Sequence, residues 1–191
     1  MPNWCENKLQ IIGETQNIIK FMEYIKGDGQ ELSFNKIIPE PATAEDCPEE
    51  YVIHDEQDAR NHHLGWDIND ERRWFDWYHW RYTYWGVKWN CSNVIAPSIS
   101  QIKRKKLTSV NIYFNTPWGP AEPIMEALLE KEEEFGLKFK FMWYEPGCCF
   151  KGKWSDEEYS DTQYVESYDE EKDEYTYDDD TEAFMAEFNN E

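Results

Sequence analysis

Cysteine, histidine and carboxylate side chains carry much of enzyme catalysis and metal binding, and their spacing in this sequence favours neither. The five cysteines are Cys5, Cys47, Cys91, Cys148 and Cys149. An odd number that includes an adjacent pair makes a poor disulfide framework, so a reducing, cytoplasmic setting is expected. Cys47, His54, His62 and His63 share one stretch with several carboxylates. Zinc sites, however, bring ligands in close pairs such as Cys-x-x-Cys or His-x-x-x-His, and neither occurs. No metal or cofactor is therefore expected. Cys148 and Cys149 read either as redox thiols or, more commonly, as buried strand cysteines. No Ser-His-Asp arrangement, Walker loop or Gly-x-Gly-x-x-Gly is present. The one enzyme reading with a mechanism starts at Pro2. Removal of the initiator would leave a secondary amine able to act as base or nucleophile. Trp4 and Asn7 would be its neighbours, with Glu145 as the acid if the last strand lies beside the first.

Binding chemistry is better represented. Trp85-Gly86-Val87-Lys88-Trp89, with Arg81 one turn earlier, offers a stacking platform for a base or a partner's side chain. The alternative is a set of core and sheet aromatics with Gly86 ending a helix. Trp118, in Thr116-Pro117-Trp118-Gly119-Pro120, is a further candidate. The second feature is charge. The net charge is −21, and residues 155–191 hold sixteen carboxylates against Lys172 alone. Carboxylates such as Asp169, Glu170, Glu171, Asp178, Asp179 and Asp180, set among tyrosines, can imitate the charge spacing of a nucleic acid. They would then compete for a basic groove on a host protein that handles DNA or RNA. The alternative is a solubilising extension. Only Lys103-Arg104-Lys105-Lys106 is a basic run. It reads as a solvated loop or hairpin tip, so no direct nucleic-acid binding is expected.

The elements that must position these residues follow from periodicity. At 191 residues the chain suits one domain plus an appendage. Residues 4–12 alternate as a strand, with Leu9 and Ile11 on one face. Ile18, Ile19, Met22 and Ile25 recur at helical spacing after Thr15, and 32–38 reads as a second strand. Residues 40–69 are polar and aperiodic, a functional or mobile insertion. Asn69 or Asp70 caps a helix carrying Trp74, Trp77, Tyr78, Arg81 and Trp85. Strands are expected at 87–95 and 107–115, a turn or short helix at 97–101, and a helix at 121–135. Residues 137–145 alternate Leu137, Phe139, Phe141 and Trp143 against Lys138, Lys140, Met142 and Tyr144, a half-buried strand. Stripped of the insertion, the order strand, helix, strand, two more strands, helix, strand resembles a β-α-β-β-α-β ferredoxin-like α+β sandwich with two helices on one face of an antiparallel sheet. The tail has the composition of a disordered segment. Its regular tyrosines nevertheless predict a hairpin over 163–177, and Phe184, Met185 and Phe188 predict one helical turn of contact. No run of 18 apolar residues exists, so no membrane span is expected.

Several motifs also carry a resemblance. They are Met1-Pro2-Asn3-Trp4-Cys5-Glu6-Asn7, Phe34-Asn35-Lys36-Ile37-Ile38-Pro39, Trp85-Gly86-Val87-Lys88-Trp89-Asn90, Thr116-Pro117-Trp118-Gly119-Pro120 and Tyr144-Glu145-Pro146-Gly147. Together they resemble the YubB-type ferredoxin-like family of small plasmid and phage proteins over residues 1–154. The resemblance implies the fold and a gene on a mobile element. It implies no activity and no catalytic residues. The expectation is thus a ferredoxin-like body over 1–154, with an insertion at about 40–85, and an acidic extension over 155–191. The expected role is non-enzymatic binding of a host protein, as an anti-defence inhibitor. The alternative is a small-ligand or nucleotide-handling enzyme using Pro2 or the Trp85–Trp89 segment. Oligomeric state stays open.

Overall fold

The computed structural model describes residues 3–61, 74–164, 166–169 and 174–189. Strand β1 (Trp4–Gly13) lies at the centre, paired antiparallel with β3 (Ser109–Pro117) on one side and β4 (Leu137–Glu145) on the other. Beyond β3 lies β2 (Ser92–Ile95), and beyond β4 lie β5 (Phe150–Trp154) and β6 (Tyr159–Gln163). The six-stranded order is β2-β3-β1-β4-β5-β6, all antiparallel. The first four strands make the ferredoxin-like arrangement.

Alternation gives the sheet two unlike faces. Leu9 stands opposite Ile112 and Phe141, and one position earlier Lys8 stands opposite Tyr113 and Met142. The inner face is closed by α1 (Thr15–Ile25) and α6 (Glu122–Leu129), which bury Phe21, Met22, Ile124 and Leu128. Phe21 packs at 4.7 Å from Phe139 and edge-on to Phe135 at 5.3 Å. The short α7 (Glu132–Phe135) follows α6, so the helix expected over 121–135 is two pieces. The outer face carries α8 (Asp179–Asn189), whose Phe184 and Phe188 rest on Met142.

Three predicted elements are corrected. The strand expected at 32–38 is instead the short helix α2 (Phe34–Ile37). Phe34 and Ile37 are one helical turn apart, and both reach the core from that turn, which strand alternation would prevent. The second sheet strand of the fold is therefore β2, reached only after α3 (Glu56–Asn61) and α4 (Trp77–Tyr84). The strand expected at 87–95 shrinks to β2, because Gly86 turns the chain at φ +77° and residues 85–91 run irregularly. The basic run is not a loop tip. Lys103, Arg104 and Lys105 form the last turn of α5 (Ile99–Lys105), where their charge suits the carbonyl end of the helix. A capping box between Ser98 and Gln101 starts that helix. Two short 3₁₀ turns, Ala44–Asp46 and Glu49–Tyr51, lie in the long stretch before α3. Asn69 and Asp70 lie outside the described residues, but α4 begins only at Trp77, with Asp76 as its cap, so Trp74 precedes the helix expected to carry it. The tail holds the predicted hairpin, β7 (Glu166–Asp169) with β8 (Glu174–Tyr177).

Candidate functional site: an aromatic strip and a lysine face

Asp76 starts α4 by accepting the His79 amide at 3.1 Å, while His79 Nδ1 lies 2.6 Å from its other oxygen. That start brings Trp77, Arg81 and Trp85 onto one side, four residues apart. The Arg81 guanidinium sits 5.0 Å from the rings of both Trp77 and Trp85. Its Nε donates to Glu40 at 2.6 Å, and both partners are largely shielded from solvent. Trp85 is 1% exposed and donates its indole N–H to the Ile38 carbonyl at 2.8 Å. Arg81 and Trp85 are thus the interior brace of the region. The exposed part is built on them. Lys88 Nζ lies 5.0 Å from the Trp89 ring, 5.5 Å from Tyr78 and 5.9 Å from Trp77. Trp89 leans on Trp4 at 6.4 Å. Trp4 pairs with Pro117 in the sheet, and the next residue, Trp118, donates its amide to the Asn3 carbonyl at 2.9 Å. Trp4, Trp89 and Trp118 are 37%, 38% and 52% exposed.

The structure therefore places the predicted Trp85, Lys88, Trp89 and Arg81 together, with Trp118 on the same end of the sheet. Trp4 was missed as a member. The sequence marked it only as part of the opening motif and as a neighbour of Pro2, because its contact with Trp89 depends on how β1 meets the loop before β2.

The predicted tail carboxylates divide differently. Asp178 caps α8 by accepting the Thr181 amide at 2.7 Å, and these bonds to Thr181 hold its carboxyl below the usual aspartate range. Asp180 pairs with Lys151 Nζ at 2.7 Å. Asp179 is exposed in the first turn of α8. Asp169 ends β7, whereas Glu170 and Glu171 lie outside the described residues. The chain's own lysines meet this helix. Lys8 Nζ donates to the carbonyls of Glu187 and Phe188 at 2.9 and 3.0 Å, and burial lowers its pKa. Lys151 also donates to Thr181 Oγ1 at 2.9 Å, and Lys153 pairs with Glu187. Phe188 packs edge-on against Tyr144 at 5.4 Å and Tyr113 at 6.2 Å. Burial, with Glu6 nearby, pushes the Tyr144 hydroxyl up to about 12.

The candidates for catalysis separate. Pro2, His62 and His63 lie outside the described residues. Glu145 is 1% exposed on β4 and accepts the amides of Gly147 at 2.9 Å and Cys148 at 2.6 Å, the work of a turn. Those bonds and Pro146 put Cys148 and Cys149 in that turn, with Cys149 at φ +55°, instead of the buried strand expected for them. Cys148 is exposed, and its hydrogen bond and charge contact with Glu145 raise its thiol pKa. Burial raises Cys91 to about 12 and raises Cys5 further. A thiol held protonated is a poor nucleophile. Among the described residues, no three His, Cys, Asp or Glu side chains are grouped to hold a metal ion. Nor is any helix among them long and apolar enough to cross a membrane.

Residues 84–189 match the family described as the ferredoxin-like domain in Api92-like protein. Among solved structures, the chain is similar to the crystal structure of protein api92 from Yersinia pseudotuberculosis. The two share 10% identity, with a TM-score of 0.46 over 86% of this chain and 99% of that one. No curated protein matches the chain.

Proposed function

The chain belongs to the family of the ferredoxin-like domain in Api92-like protein, and from that premise we propose that it is a non-enzymatic binding protein. It docks a partner protein through the strip of Trp4, Lys88, Trp89 and Trp118. The carrying observation is that three tryptophan faces stand exposed at one end of the sheet, on a frame fixed by the Arg81–Glu40 and Trp85–Ile38 bonds. Exposed tryptophan on a rigid frame is the usual material of a binding hot spot, since little side-chain entropy is lost on docking. The surrounding molecule carries a charge of −21, so the partner it attracts is basic, and the field speeds encounter. A nucleic-acid-handling host protein fits that description. An accessory role for a mobile element, directed against host defence, is the specific form of this proposal, and it rests on the motif resemblance. The enzyme alternative gains nothing from Trp85, which is buried and spends its N–H on a backbone carbonyl.

The test is capture from bacterial lysate by the full chain and by Trp89→Ala/Trp118→Ala, at low and high salt. Ending the chain at Trp154 is a poor control, because it removes β6 and α8 and uncovers Met142 and Tyr144. A partner held by the full chain, weakened by salt and lost with the tryptophans, is the expected result. Equal capture by both proteins overturns the docking surface, and capture of nothing by either overturns the function.

A further inference from the structure

We propose that the outer face of the sheet is a platform for single-stranded nucleic acid, and that α8 occupies it as the chain's own substitute for that ligand. This face is independent of the tryptophan strip. Because the whole molecule carries a charge of −21, its lysines act on a polyanion only at short range, within a Debye length, where salt screens the more distant carboxylates.

Strand alternation puts Lys8, Tyr113, Met142, Tyr144, Lys151 and Lys153 on the face opposite α1 and α6. Lysines on a half-exposed sheet normally extend into water. Here Lys8 and Lys151 are 4% and 5% exposed. A buried ammonium is costly unless oxygen atoms satisfy it, and α8 supplies them. It presents two carbonyls to Lys8, a carboxylate and a hydroxyl to Lys151, and a carboxylate to Lys153. Between those oxygens it places flat rings. Phe188 meets Tyr113 and Tyr144, and Phe184 lies 5.4 and 5.6 Å from the ammonium groups of Lys151 and Lys153. Oxygen acceptors, two of them carboxylates, alternating with flat apolar rings match the phosphate and base of a single strand. Sheet aromatics with neighbouring cations are how proteins hold such strands.

The platform extends past the helix. A groove of about 370 Å³ runs between α8 and the β5–β6 pair, lined by Lys151, Lys153, Glu158, Ser160 and Thr162 from the sheet side and by Asp180 and Glu187 from α8. Lys140, exposed and opposite Gln10, continues the same face along β4. The helix is also separable. Its apolar contacts form a small cluster with Met142, distinct from the main core. The occupant fits nucleic acid better than an acidic peptide, because lysines alone would hold carboxylates, whereas this face also carries Tyr113 and Tyr144.

The test compares the full chain with Phe184→Ala/Phe188→Ala and with the gentler Asp180→Asn/Glu187→Gln. A labelled oligothymidylate of about twelve nucleotides serves as probe, and far-UV circular dichroism and melting establish that each protein is folded. At least one of the two variants is expected to bind at least about tenfold more tightly than the full chain. With three lysines engaged, affinity should fall against salt with a logarithmic slope of about −2. Adding Lys151→Ala and Lys153→Ala should abolish the gain. The proposal is overturned if both variants fold, hydrogen exchange shows α8 released, and oligonucleotide affinity is unchanged. It is also overturned if polyglutamate binds the released face as tightly as the oligonucleotide, which would make it an acidic-peptide site.

Discussion

The aromatic strip and the outer sheet face are built from the same materials, cations over aromatic rings, yet they end in opposite states. At the strip, Arg81 is largely shielded with Glu40 as a brace, and the outermost rings of Trp4, Trp89 and Trp118 meet water. On the outer face, Lys8 and Lys151 are buried because the chain lays its own acidic helix across them. The difference is one of supply. A surface whose complement is absent from the chain stays open for another molecule, whereas a surface whose complement lies on the same chain is already filled. Exposure alone would have identified the strip and hidden the lysine face.

The largest expected effect comes from removing the brace. Trp85→Ala takes a fully buried indole and its bond to Ile38 out of the main core. It is expected to cost about 3–5 kcal/mol in a urea melt. A loss below about 1 kcal/mol would mean that the strip is not seated on the core. Next is Gly152→Ala on β5. A Cβ there meets the Trp143 ring and the Ser160 carbonyl, so overpacking at the upper end of about 1–3 kcal/mol is expected. The clash falls on Trp143 at the β4–β5 side of the main core. The damage should therefore centre on β4, β5, β6 and on α8, which is held by this strand's Lys151 and Lys153, and should leave the strip intact. Equal loss of protection in α4 and α8 by hydrogen exchange would break the separation of the two regions.

Phe188→Ala sharpens the comparison from the other side. It removes burial worth about 1.5–3 kcal/mol from the small cluster only, and the loss should appear as opening of α8 with the global melt little changed. The smallest effect is a pH dependence confined to α8. The Asp178 carboxyl is depressed in the folded chain by its bonds to Thr181. Its contribution is therefore present above the ordinary aspartate range and lost as pH falls through the depressed value. Helical signal from α8 should decline in acid, and Asp178→Asn should flatten that decline. A variant titrating like the parent would remove Asp178 as the cap.

Much of this was legible because one-dimensional pattern matched three-dimensional role. Leu137 to Tyr144 alternate in sequence and on the sheet, so β4 could be read directly. Phe184 and Phe188 predicted a helical contact, and they make one. One misreading arose from a short apolar run, since Leu32, Phe34, Ile37 and Ile38 read as a strand. Phe34 and Ile37 both reach the core, where Phe34 meets Trp85 and Phe114, and only a helical turn allows that. Lys8 was illegible for another reason. A lysine within a strand reads as solvent-facing, and only a helix some 180 residues later in the chain covers it. Trp4 likewise gains its meaning from Trp89 and Pro117, which no local pattern connects to it.

Whether α8 is an occupant or part of the core decides what the lysine face is for. Native-state hydrogen exchange on the full chain at increasing salt measures this directly. The expected result is that α8 amides exchange through local opening, faster as salt screens Lys151 and Lys153, while β1, β3 and β4 stay at the global limit. If α8 exchanges only with those strands, at every salt concentration, the helix is core and the lysine face is not a site.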